Sequence, residues 1–191
     1  MVKRLFIVIP ALIIGLFGSV EAQDAHFSQF YANALYLNPA FAGADNCPRL
    51  SLNYRNQWPA LGSTYETYSM SYDQYFHPLQ GGIGLHLMND VQGGGTIETT
   101  TISGMYSYTL SVTRRFFIAA GFQASYVMKQ IDWDFIFPNM IHPLYGPIYS
   151  SAESPEIINE NKNYVDFTTG LIAFSEKTFF GMAIYHISAP S

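Results

Sequence analysis

The sequence predicts an all-β fold: an antiparallel up-and-down transmembrane β-barrel, of which this chain holds about seven strands. Composition is the first observation. Hydrophobic residues make up 49% of the chain and charged residues only 12%, whereas soluble domains carry about 25% charged residues. Mean hydropathy is nevertheless only +0.09, because polar and apolar residues are interspersed. Strands that are apolar on one face and polar on the other have this composition.

The second observation is the N-terminus, which has the pattern of a secretory signal. Lys3 and Arg4 precede an apolar run over residues 5–17, and small residues come before Gln23. We therefore predict a signal peptide over residues 1–22, removed by cleavage. The alternative is a membrane-anchoring helix, but the run is shorter than the roughly 20 residues that a spanning helix needs. No later stretch is apolar enough for such a helix.

The third observation is period-two alternation of apolar and polar residues in seven segments, typical of strands. Several segments are longer than the roughly 5–6 residues usual in soluble proteins and match the roughly 9–11 of tilted membrane strands. The apolar members, which we expect to face lipid, are Leu50, Leu52 and Tyr54; Tyr68, Met70 and Tyr72; Ile83, Leu85 and Leu87; Ile102, Tyr106, Tyr108 and Leu110; Phe116, Ile118, Ala120, Phe122, Ala124 and Tyr126; Val165, Phe167, Leu171 and Ala173; and Phe179, Ala183, Tyr185 and Ile187.

The connections alternate between long and short, as in bacterial barrels with external loops and short periplasmic turns. We expect outer loops at 58–63, 91–95 and 130–163, and periplasmic turns at 76–81, 111–115 and 175–177. Aromatic residues near strand ends predict interfacial girdles, although packing in a soluble β-core is the alternative. These residues are Tyr54, Trp58, Tyr65, Tyr75, Tyr108, Trp133 and Tyr164.

The predicted domains are residues 1–22, residues 23–48 and residues 49–191, the last being a partial barrel with an external loop over 130–163. Residues 23–48 are either a simple lead-in or a periplasmic plug that buries a few apolar side chains. Single-chain bacterial barrels have an even strand number of at least 8. Seven strands therefore predict a truncated barrel whose closing strands are missing.

The search for chemistry gives no catalytic, cofactor-binding or metal-binding residue. The acidic residues lie near predicted strand ends or in loops, where carboxylates are usually solvated. Three glycines predict a turn rather than a phosphate-binding loop. The lone cysteine has no assigned role, and a net charge of −5 gives no reason to expect nucleic acid as a partner. The residues considered are His26, His77, His86, His142 and His186; Asp73, Asp90, Asp132 and Asp134; Gly93, Gly94 and Gly95; Arg114 and Arg115; and Cys47.

The order of short motifs along the mature chain resembles the PorP/SprF family of type IX secretion and gliding-motility proteins of Bacteroidota. The NPAFAG and YRNQWP blocks are together specific, although neither is so alone. The motifs are QDAHFSQFY at 23–31, LNPAFAG at 37–43, YRNQWP at 54–59, SMSYD at 69–73, GIGL at 82–85, MNDVQGG at 88–94, AGFQASY at 120–126 and IDWD at 131–134.

This resemblance implies a non-enzymatic outer-membrane barrel, in contact with lipid, that helps to secrete or anchor adhesins and similar cargo with C-terminal sorting domains. It also implies partnership with other secretion components and with peptidoglycan-linked periplasmic proteins. Family members are usually longer, so this chain would hold their N-terminal portion. A general porin or small-solute channel is the alternative function, and a soluble periplasmic β-protein is a third class.

Overall fold

The computed structural model describes residues 27–45, 47–60, 64–113, 115–131, 141–142, 146–147, 160–175 and 178–188. The predicted signal peptide, Trp133 and the carboxylates of Asp132 and Asp134 lie outside these residues, as does most of the predicted loop over 130–163. Within the described ranges, no helix has the length and apolar character needed to cross a membrane.

The described strands form one antiparallel sheet of seven strands and a separate two-stranded ladder. The sheet order is β1–β2–β3–β4–β5–β8–β9, so each strand pairs with its neighbour in the chain except where β6 and β7 intervene. The strands are β1 (Arg49–Gln57), β2 (Tyr65–Phe76), β3 (Gly81–Gln92), β4 (Ile97–Thr113), β5 (Phe116–Ile131), β6 (Ile141–His142), β7 (Gly146–Pro147), β8 (Glu160–Ser175) and β9 (Phe179–Ile184). The seven-stranded up-and-down meander confirms the predicted fold class.

The two ends of the sheet differ in their connections. At the turn end, β2 joins β3 through a 3-10 turn, His77–Leu79, which ends at Gln80 in the left-handed conformation (φ 48°). Strands β4 and β5 meet there after an irregularity between Ser111 and Thr113. At the loop end, the β3–β4 connection contains Gly93, Gly94 and Gly95, all with positive φ. Glycine adopts this backbone readily, so the glycines form a turn, as predicted.

The sheet curls around a short segment of the chain that precedes β1. In a flat sheet, seven strands would spread over about 29 Å, at roughly 4.8 Å per spacing. One compact segment, residues 33–43, nevertheless contacts every strand, because the sheet wraps around it. The contacts are with Arg49 on β1, Asp73 on β2, Gly82 on β3, Ser107 on β4, Gly121 on β5, Gly170 on β8 and Met182 on β9.

The convex face is apolar, and the concave face is mainly polar and small. On β2 the even positions are exposed and the odd positions from Thr67 to Asp73 are buried. The same division continues across β3, β4, β5 and β8. Exposed convex residues include Leu52, Met70, Leu85, Ile102, Tyr106, Phe122, Val165 and Leu171.

The prediction for the last strand was wrong. Cross-strand pairing places Phe180 opposite Ala173 and Met182 opposite Leu171, so these two side chains share the convex face. Phe179 instead pairs with Phe174 and lines a cavity on the concave side. Both rows of β9 are apolar, so the period-two pattern alone did not distinguish them.

The predicted aromatic girdle is only partly correct. Tyr54 and Tyr108 do lie on the convex face near opposite ends of their strands. Tyr75 lines the concave cavity instead. Tyr164 also falls on the concave face, because it pairs with the buried Val127.

The apolar convex surface has a defined limit toward the loop end. On β1 the last apolar convex residue is Tyr54, whose row of cross-strand partners crosses β4 at Thr100. On β5 it is Met128, which lies in the same row. On β9 the apolar convex residues continue to Ile184, where the strand ends. The convex residues beyond this limit include Asn56, Glu66, Glu98 and Gln130.

The apolar convex surface therefore forms a continuous band across the seven strands. Transmembrane barrels present such an outward-facing apolar band to lipid.

Candidate functional site: the concave face and the N-terminal segment

The concave face holds the N-terminal segment, which we define as residues 33–43. Two short helical turns make it compact, an α-turn at Ala34–Leu37 and a 3-10 turn at Pro39–Phe41. Pro39 occupies the first position of the second turn, where its missing N–H has no consequence. Asn38 caps this turn, because its side-chain Oδ1 accepts a hydrogen bond of 2.9 Å from Ala40 N. The sequence NPAF thus fixes the local shape.

Glycines on three strands let the backbone of this segment reach the sheet backbone. A Cβ atom on Gly121 would lie 2.6 Å from Cα of Ala40 and closer still to Ala40 N. A Cβ on Gly170 would lie 2.7 Å from Cγ of Asn38, and one on Gly82 would lie 2.6 Å from Cα of Gly43. Carbon atoms pack best at about 3.5–4.0 Å. Any larger residue at these concave positions would therefore displace the segment.

Asn38 ties the segment to the last two strands of the sheet. Its Nδ2 donates to the carbonyl oxygen of Met182 at 3.0 Å and to that of Leu171 at 3.4 Å. The Tyr185 hydroxyl, just beyond β9, donates to the carbonyl oxygen of Leu37. These hydrogen bonds give the Asn38 amide partners on both strands, which offsets the cost of removing it from water.

Asp73 ties the other end of the segment to the first two strands. It is 1% exposed. Its Oδ2 accepts a hydrogen bond of 2.8 Å from Gly43 N, and Arg49 Nε donates to its Oδ1 at 2.9 Å. Arg49 also reaches the carbonyl of Phe41 and the more exposed carboxylate of Asp45. Removing a carboxylate from water is costly unless it is paired and hydrogen-bonded, and these contacts supply both.

Residues near both ends of the segment make polar contacts with β2 and β4. Asn33 is fully buried, and its Nδ2 donates to Ser69 Oγ at 3.0 Å. Ser69 Oγ lies 2.9 Å from Nε2 of His86. Ser107 on β4 donates its hydroxyl hydrogen to the carbonyl of Ala42. The concave serines therefore serve as partners for the backbone and side chains of the segment.

Apolar contacts complete the docking. Leu35 and Ala42 pack against Met105, and Ala40 packs against Ala119 and Ile172. Toward the turn end, a cavity of about 530 Å³ remains between the segment and β4, β5, β8 and β9. Its aromatic lining residues are Phe41, Tyr75, Phe117, Phe174 and Phe179. The segment therefore covers only part of the apolar concave surface.

The structure corrects the prediction that the acidic residues are solvated. Asp73 is buried in the network described above. Asp90 is 7% exposed and accepts a hydrogen bond of 2.6 Å from the Thr67 hydroxyl. Among the described residues, no three His, Cys, Asp or Glu side chains are arranged to hold a metal ion.

The histidines are dispersed. His77 is exposed in a turn at the turn end, whereas His86 is buried on the concave face beside Tyr36. His186 follows β9, and its Nδ1 lies 2.8 Å from Oδ2 of Asp166. His26 and the side chain of His142 lie outside the described residues.

Of the other candidates, Cys47 is exposed just before β1. Arg115 lies at the turn end and is exposed, while Arg114 is outside the described residues. The sequence did not predict the docking contacts themselves. The feature of the sequence that could have indicated docking is the set of glycines at concave positions, Gly82, Gly121 and Gly170, which interrupt the polar residues of that face.

A curled antiparallel sheet with an apolar convex belt and a polar concave face that holds a segment of its own chain defines a protein of the transmembrane β-barrel class. The model of the PorP/SprF family, described as type IX secretion system membrane protein, matches residues 19–191. The chain belongs to this family, and it is a membrane component of type IX secretion. No curated protein and no solved structure matches it.

Proposed function

We propose that the protein is a non-enzymatic outer-membrane component of the type IX secretion and gliding-motility machinery, which helps to secrete or anchor surface adhesins and similar cargo. The observation that carries this proposal is the band of apolar residues on the convex face of a curled antiparallel sheet, in a chain of a secretion family. A belt on strands requires a barrel, since an open sheet edge is unsatisfied in hydrocarbon. Barrels of this type are characteristic of outer membranes.

The domain assignment follows the same proposal. Residues 1–22 act as a cleaved export signal, and residues 49–191 contribute part of the barrel wall. Residues 23–48 contain the N-terminal segment and act as a plug, which is supported by its contacts with all seven strands. The connection over 130–163 lies on the outer side and contacts cargo, while the turn end faces the periplasm and the peptidoglycan-linked partners.

The polar concave rows are the feature that favours a second function, that of a general porin or small-solute channel. Porins line a water-filled lumen with polar residues, and Thr67, Ser71, Ser103 and Thr168 lie on the concave face here. The N-terminal segment, however, occupies the space that solutes would use. Glycine-mediated backbone contacts and buried hydrogen bonds hold it there, so the filled face favours the secretion role over free diffusion.

Deletion of the gene in the source organism tests the proposal. We expect fewer secreted proteins with C-terminal sorting domains in the medium or at the cell surface, measured by quantitative mass spectrometry. Uptake of small hydrophilic dyes should be unchanged, and reintroduction of the gene should restore secretion. A normal cargo profile together with altered dye permeability would support the channel instead. Recovery of the protein in the detergent-free soluble fraction would contradict a membrane location.

A further inference from the structure

Two lysines face each other on the concave side near the loop end. Lys129 on β5 and Lys162 on β8 are direct cross-strand partners. Both belong to the concave rows, because their neighbours Met128 and Asn163 alternate with them onto the convex face. Directly opposed side chains have Cβ atoms about 4.5–5.5 Å apart, and like charges in such a pair destabilise the sheet. This repulsion calls for a compensating anion.

The acidic side chains that the structure describes do not supply that anion. Among the residues that the structure describes, no carboxylate pairs with either ammonium group. Arg49, by contrast, is paired with Asp73 and Asp45. The nearest carboxylate in the same row is on Asp90, two strands away, and it already accepts hydrogen bonds from Thr67 and Gln92. The lysine pair therefore stands apart in a chain whose net charge is −5.

The pair also lies where the concave face becomes accessible. The concave pair Ser125 and Asp166 lies four residues nearer the turn end, and both of its side chains are only 4% exposed. Lys129 is half-buried and Lys162 is exposed. The N-terminal segment contacts rows nearer the turn end, so it leaves the lysines open. Thr99 pairs with Lys129 and provides a hydroxyl group beside it.

We propose that Lys129 and Lys162 form an oxyanion-binding site on the concave face, which takes a carboxylate or a phosphate group. Two ammonium groups on adjacent strands place their donors on one side of the sheet, where a single anion contacts both. Binding relieves the repulsion between the lysines, so the anion stabilises the fold as well as occupying the site. The proposal rests on the pairing of the two lysines and not on the secretion role.

The test uses the purified full chain in detergent micelles, with urea unfolding followed by tryptophan fluorescence at constant ionic strength. Inorganic phosphate is titrated in one arm and an oligoglutamate peptide in the other. We expect at least one of them to raise the unfolding midpoint. The double variant Lys129→Gln/Lys162→Gln should lose that response, with an apparent affinity at least tenfold weaker, while Arg115→Gln at the turn end should retain it.

A response to phosphate alone identifies a phosphate group as the ligand, and a response to the peptide alone identifies carboxylates. Without any anion, each single variant should unfold at a higher urea concentration than the wild type, because it removes the repulsion. The exposed Lys162 provides this readout even if Lys129→Gln folds poorly. The proposal is overturned if neither anion has an effect, if the double variant responds like the wild type, or if Lys162→Gln lowers the anion-free midpoint.

Discussion

Replacement of Gly121 by alanine should detach or displace the N-terminal segment, because this glycine lies where two backbones meet. The added Cβ would lie 2.6 Å from Cα of Ala40 and nearer still to Ala40 N. Both are backbone atoms, so no side-chain rotation relieves the contact. The segment must move by about 1 Å to restore a separation of about 3.5 Å. Such a shift also disturbs the hydrogen bonds that Asn38 makes two residues earlier.

The size of the effect follows from these contacts. Overpacking in a filled interior costs about 1–3 kcal/mol, and each weakened buried hydrogen bond adds about 1 kcal/mol. Against this, alanine in a strand is favoured over glycine by about 0.5–1 kcal/mol. We therefore expect Gly121→Ala to lower the free energy of unfolding by about 2–3 kcal/mol.

Gly104 provides a matched control on the neighbouring strand. It is exposed on the convex face, and a Cβ there would meet no atom within 4 Å. Gly104→Ala should therefore be neutral or stabilising by up to about 1 kcal/mol. Urea unfolding in micelles measures both variants, and hydrogen–deuterium exchange of the peptide over residues 33–43 reports docking directly. Equal unfolding midpoints, with no faster exchange in Gly121→Ala, would refute the docking argument.

Three further predictions concern other parts of the molecule. Asp73→Asn should lower the free energy of unfolding by about 2–3 kcal/mol, because it leaves Arg49 without its buried partner. Asp45→Asn removes an exposed partner of the same arginine and should change the free energy of unfolding by less than about 0.5 kcal/mol. Urea titration of the two variants compares these effects. Phe122→Arg, in the middle of the apolar belt, should lower the free energy of unfolding in lipid vesicles by about 2–4 kcal/mol. Gln130→Arg, on the same face of β5 but beyond the belt, should lower it by at most about 1 kcal/mol. Equal losses would contradict the placement of the belt. Cys47 should react with maleimide in the folded protein without denaturant, because it is exposed; protection from labelling would show that this region is covered.

Period-two alternation was sufficient to predict the convex face of most strands. Leu52, Met70 and Leu85 were assigned correctly because their polar neighbours leave only one apolar row. Strand β9 has Phe179 and Ala183 in one row and Phe180 and Met182 in the other, so both rows qualify as lipid-facing. Only pairing with β8 determines which row is convex. When both faces of a strand are apolar, its pairing with the neighbouring strand decides which face is convex, and the local sequence does not.

Long-range polar contacts were equally inaccessible from the sequence. Asp73 and Arg49 are 24 positions apart, and Asn38 is 144 positions from the carbonyl that it binds. A carboxylate near a strand end is usually solvated, so the solvated assignment of Asp73 was reasonable without knowledge of the segment that covers it. The burial of this group results from docking, and docking depends on residues spread over all seven strands.

The three docking glycines provide the link between sequence and docking that a local pattern lacks. Gly82, Gly121 and Gly170 form one cross-strand row together with Ser107. Glycine weakens a strand interior, so a row of glycines in adjacent strands indicates that another backbone lies against that row. The asparagine–proline turn that fills this row caps itself and needs no side-chain volume from the sheet. Curvature and docking are therefore coupled: the glycines admit the segment, and its ties to β2 and β9 hold the curled strands at a fixed separation.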